Sequence, residues 1–188
     1  MSLDKDLQNS YNSVGKKVFD LNSLSQKCIQ SSLDLFSKKS LNEKRPKPID
    51  VEVYTLVSGL PFSKVLISSL LNIENDIIQS LENTLCYWVK PENLAVEYCV
   101  CKWPNDNWKI TWFDDLKNFF QERQYNAFDL TISGIQLHKD GCIIARGFDR
   151  GFIRNIRSDL VSNLKFLPTK QSNWAHIPLG RILEPISD

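Results

Sequence analysis

Residues 49–61, IDVEVYTLVSGLP, decide the reading of the fold. Valine, tyrosine and threonine crowd the segment from Asp50 to Gly59, Gly59 supplies a turn, and Pro61 with Ser63 opens a helix, so a strand feeds directly into a helix. That helix, from Ser63 to Leu81, carries Leu66, Leu70, Ile73, Ile77 and Leu81 on one broad apolar stripe and must bury it against a sheet. The next segment, TLCYWVKPENLAVEYCVCKW, reads as a short strand, a turn at PEN and a second, apolar strand that stops at the PNDN loop.

The same order then recurs. Residues Trp112 to Gln124 form a helix with Asp114 near its positive end, and AFDLTISGIQLHKDGCIIARGF reads as two strands joined by a hairpin at LHKDG. A third helix over Asp149 to Leu164 turns Phe152, Ile156, Leu160 and Leu164 inward, and Trp174 to Leu183 closes the chain as a strand. The predicted order is β-α-β-β-α-β-β-α-β. Local antiparallel pairs with helices set between them argue for an α+β fold rather than a doubly wound parallel sheet. Strand, helix, strand, strand occurs twice, as expected of two similar lobes facing each other across a cleft.

Ahead of this domain, Val14, Val18, Leu21 and Leu24, then Ile29, Leu33 and Phe36, follow spacings of three and four that suit two short amphipathic helices. They end at LNEKRPKPID, where Pro46 and Pro48 favour extended chain. The expected organisation is a helical N-terminal extension over residues 1–48 and a principal domain over residues 49–188.

Composition sets wide limits. With 42% hydrophobic and 24% charged residues the chain has the make-up of a folded globular protein. Its formal net charge of +1 implies no general field for polyanions, although residues 1–48 carry +4 and the remainder −3. The basic extension is either a solvated helix face or a contact for RNA or an anionic membrane surface. The opening residues lack a signal-type apolar run, and no uncharged apolar stretch of about 18 residues occurs, so a cytoplasmic protein without membrane contact is expected. The cysteines, Cys28, Cys86, Cys99, Cys101 and Cys142, are odd in number and lack CxxC spacing. They read as reduced core residues, with Cys99 and Cys101 on the same side of a strand.

Three segments, IDVEVYTLVSGLP, VKPENLAVEYCV and NWAHIPLGRIL, resemble the opening strand and the two histidine strands of the 2H phosphoesterases, the LigT-like family. The resemblance covers residues 49–188 and implies a two-lobed, pseudo-symmetric pair of antiparallel sheets with flanking helices. It further implies a His-x-Ser/Thr motif from each lobe and chemistry on cyclic or 2′,5′-linked phosphodiesters of nucleotides or RNA ends, without metal or cofactor. Within each motif, residues two apart on a strand point the same way. One imidazole would take a proton and the other give one, while hydroxyls hold the phosphoryl oxygens.

Carried over by position, His176 matches the second-motif histidine and Pro178 stands at its hydroxyl position, followed by Gly180 and Arg181. In the first motif Ala95 stands where the histidine belongs and Glu97 where the hydroxyl belongs. His176 and Glu97 are therefore the expected proton carriers, with Ala95, Pro178, Tyr54 and Arg146 as expected binding positions: Tyr54 to stack on a base, Arg146 to offer a guanidinium fork to phosphate. His138 falls in a hairpin and is expected to be exposed, and Arg181 is expected to pair with an acid. Three functions follow: a phosphoesterase, an inactive relative that binds a phosphate-containing small molecule or RNA end, and a protein-interaction module.

Overall fold

The computed structural model describes residues 3–19, 24–81 and 83–186. Its elements run α1 (Leu3–Phe19), α2 (Gln26–Leu33), α3 (Lys38–Asn42), β1 (Tyr54–Ser58), α4 (Lys64–Ser80), β2 (Cys86–Trp88), β3 (Val96–Lys102), α5 (Trp112–Glu122), β4 (Thr131–Leu137), β5 (Cys142–Phe148), α6 (Phe152–Asn163) and β6 (Ala175–Ile182). The strands form two antiparallel sheets of unequal size, one with the order β1-β3 and one with the order β2-β6-β5-β4. The fold is thus mixed, with antiparallel sheets flanked by helices.

The expected order of elements from β1 to β6 is the observed one. The first strand is shorter than its sequence. Residues 50–53 carry no strand, and Ile49, Val51 and Val53 lie exposed, because pairing with β3 ends at Tyr54 opposite Lys102 and β3 itself gives way to a turn at Pro104. β-branched composition cannot hold a strand that has no neighbour to bond.

The principal core joins Val96 of β3, Leu70 of α4 and the β5 and β6 residues Ile143, Ala145, Ala175, Ile177 and Leu179. A second cluster sets Cys99 and Cys101 of β3 against Phe119 of α5 and Ile156 and Leu160 of α6. Both cysteines are thiols packed as small hydrophobes.

The N-terminal segment forms three helices rather than two, and it lies on the four-stranded sheet. Tyr11, Leu24, Ile29 and Phe36 are buried, and Leu24 and Ile29 belong to the principal core. Leu21 lies outside the described residues. At the far end of the sheet the Ser32 hydroxyl donates to the carbonyl of Asp140 at 2.5 Å and accepts from Arg181 Nη1 at 2.7 Å. Arg181 also sits 3.5 Å from the Asp140 carboxylate, an inter-element ion pair of the expected kind.

Candidate functional site

The strands that carry the two motif segments share the principal core, and Arg157 ties their backbones together. Arg157 of α6 donates from Nε to the carbonyl of Tyr98 at 2.7 Å and from Nη2 to the carbonyls of Glu97 at 3.1 Å and Trp174 at 3.4 Å; Nη1 donates to Ser172. Beside it the Gln171 amide donates to the Val100 carbonyl at 2.9 Å and accepts from the Val100 amide at 3.0 Å, imitating a strand neighbour. The free edge of β3 is therefore bonded to the segment that leads into β6. Sequence reasoning missed Arg157. Its signal was present, since Arg157 lies four residues after Ile153 and three before Leu160, on the inward stripe where a cation needs an internal partner.

Strand alternation then decides which side chains meet. On β3, Val96 and Tyr98 face a groove of about 660 Å³ between the two sheets, which is also lined by Ile177 of β6, Leu66 of α4, Phe120 of α5 and Ile132 of β4. Ala95, Glu97, His176 and Pro178 are not among its lining residues. On β6, Ala175, Ile177 and Leu179 turn toward the core, and His176 and Pro178 alternate onto the opposite face, where His176 stands across from Arg146 of β5. The expected proton carriers thus lie off the groove. Glu97 is half-buried, and burial raises its carboxyl pKa against the opposing pull of Arg157.

The His176 face is covered by α1. Tyr11 is fully buried, and its hydroxyl lies 2.7 Å from the Ala175 carbonyl and 3.2 Å from that of Gly147. Burial pushes its pKa up to about 12, so it stays a phenol. The Trp174 indole donates to the Ser10 hydroxyl at 2.8 Å and packs on the Tyr11 ring at 5.2 Å. Arg146 donates from Nε to the Ser133 carbonyl at 3.1 Å and has its guanidinium 5.9 Å from the Tyr11 ring centroid.

Among the described residues, His176 Nδ1 is buried without a hydrogen-bond partner. Burial, then the charges of His138 and Arg157, hold the imidazole pKa down at about 4, so the ring is neutral near pH 7 and a weak proton acceptor. His138 departs from its expected exposure: the residue is half-buried, its ring 4.8 Å from the Trp174 ring, with Nε2 buried and without a partner among the described residues. The hairpin is closed by the backbone bond from His138 to the Cys142 carbonyl at 2.8 Å, and the Trp174 ring packs over the imidazole. Burial again lowers its pKa.

Tyr54 lies in a different neighbourhood. Its ring packs against Trp108 and Phe113 at 5.0 and 5.2 Å, with Lys102 Nζ 5.6 Å from its centroid, and it does not line the groove. Among the described residues, no group of three or more His, Cys, Asp and Glu is placed to hold a metal ion, and no helix is long and apolar enough to cross a membrane. Comparison with protein-family models gives no match, and comparison with curated proteins gives no relative.

Proposed function

We propose that the chain is a ligand-binding module of 2H-phosphoesterase-like, two-lobed architecture that has no two-histidine turnover, and that its ligand seat is the groove between the sheets. The observation that carries this reading is the separation of that groove from Glu97 and His176, the expected acid–base pair. Its volume of about 660 Å³ suits a small organic ligand. No Lys, Arg, His, Asp or Glu occurs among its lining residues, which favours an uncharged, largely apolar ligand oriented by Ser58, Tyr98 and Asn126. A naked phosphate would lose its hydration there without a cation to replace it.

The test is binding of an uncharged fluorophore such as Nile red. Fluorescence should rise saturably with the wild-type protein and fall at least tenfold in apparent affinity in Leu66→Trp or Ile132→Trp, which fill the groove. No saturable signal, or a signal indifferent to both fillings, counts against the groove as a seat.

A phosphodiesterase acting on cyclic or 2′,5′-linked phosphodiesters is the second reading, favoured by one observation. His138 and His176, the chain's two histidines, flank Trp174 at 4.8 and 6.1 Å, each with an unengaged ring nitrogen. Such a pair offers the two proton carriers that the family chemistry needs, although α1 covers the face on which His176 stands.

A further inference from the structure

The face beneath α1 holds an anomaly that the groove does not explain. Of the four buried side-chain polar atoms left without a partner among the described residues, three belong to Gln136, His138 and His176 of this face. Gln136 is 7% exposed, and its Nε2 finds no acceptor among the described residues. An unmet buried donor costs about 1–3 kcal/mol, so such a group ordinarily answers to a water or a bound ligand.

Gln136 borders a depression of about 600 Å³ between α1 and the β4-β5 hairpin, which also receives Lys16, Arg146, Asn12 and Tyr11. Arg146 commits Nε to Ser133, and among the described residues it has no carboxylate within ion-pairing distance. Gly134, at φ +82°, makes room for the guanidinium: a Cβ there would stand 2.3 Å from Arg146 Nη2. Among the described residues no Asp or Glu lines the depression, whose remaining lining includes Val18, Ile135 and Leu137. Two cations and an unmet amide donor, set beside an apolar wall, complement an oxyanion attached to an apolar body.

From this geometry we infer that the depression between α1 and β4-β5 is an anion site, in which Arg146, Lys16 and the Gln136 amide hold the carboxylate or phosphate group of a small amphiphilic molecule. The site is distinct from the groove and does not depend on the function proposed for it. Lys16 comes from the N-terminal helix and Arg146 from the sheet, so ligand and α1 hold each other in place.

Isothermal titration of the full chain with inorganic phosphate, octanoate and octyl phosphate tests the site. Saturable binding of octyl phosphate, of octanoate, or of both is expected, with inorganic phosphate at least tenfold weaker for want of the apolar contact. Preference between the first two distinguishes a phosphate ligand from a carboxylate one. Arg146→Gln should weaken binding tenfold or more. Lys16→Gln, at an exposed position that leaves the fold undisturbed, should weaken it severalfold. Absence of saturable binding by all three, or binding unchanged in Lys16→Gln and in a folded Arg146→Gln protein, overturns the proposal.

Discussion

Arg157 Nε donates to the main-chain carbonyl of Tyr98 at 2.7 Å, and through that bond a helix side chain holds one sheet against the approach to the other. Arg157 is 4% exposed, and its guanidinium is bonded to main-chain carbonyls. A planar guanidinium spreads five donors over three nitrogens in a fixed fork, whereas an ammonium has three donors on one nitrogen and reaches less far from carbonyl to carbonyl. Arg157→Ala should therefore cost about 3 kcal/mol in urea unfolding, because it empties space and orphans buried acceptors. Arg157→Lys should recover less than half of that loss. Wild-type stability in either variant would show that the carbonyls find other partners.

Acid should loosen the α1 face. His176 has a folded-state pKa of about 4 against 6.5 for an ordinary histidine, so between those values the unfolded chain binds more protons than the folded one. Stability is then full above about pH 6.5 and falls as the pH drops toward 4, by at most about 3 kcal/mol from this residue. His138, lowered by the same cause, acts in the same direction. Urea midpoints measured from pH 7.5 to 4 should fall in the wild type and flatten in His176→Gln. A flat wild-type profile would mean that the imidazole is more hydrated than its surroundings indicate.

Tyr11→Phe removes a hydroxyl that bridges the Gly147 and Ala175 carbonyls while leaving the ring contacts to Phe148 and Trp174. The expected loss is about 1 kcal/mol, whereas Tyr11→Ala should cost about 3–5 kcal/mol and expose the His176 face to hydrogen exchange. Equal losses in the two variants would make the hydroxyl, not the ring, the anchor of α1.

Gly180 separates packing from chemistry within the HIPLGR string. A Cβ at this position would lie 2.5 Å from the Tyr87 carbonyl and 2.7 Å from the Trp88 ring, so β2 can approach β6 only at glycine. Gly180→Ala should destabilise the protein by about 1–3 kcal/mol without removing any polar group. A neutral thermal melt would show that β2 moves freely.

Much of the architecture was legible because the elements are marked locally. The stripe from Leu66 to Leu81, the glycine at residue 59 and the hairpin glycine at residue 141 each fix an element with no help from distant residues. What the sequence left open was facing. Glu97 and His176 were legible as strand residues, but which side of each strand meets the groove depends on how two sheets pack, and a shift of one residue exchanges Val96 and Tyr98 for Ala95 and Glu97. The helical arm was legible too, but its seat was not: Tyr11 sits among polar residues at the middle of its helix, and its partners are 136 and 164 residues away. His138 was misjudged for a related reason, since a hairpin residue is exposed only if nothing packs over its sheet face.

The most direct measurement is turnover of nucleoside 2′,3′-cyclic monophosphates by wild-type protein and by His176→Ala, followed by chromatography of the products. Binding without turnover predicts that both proteins leave the cyclic phosphate intact at equal background rates. Ring-opened product formed by the wild type and lost in a folded His176→Ala protein would contradict it, and would place proton transfer on the face beneath α1.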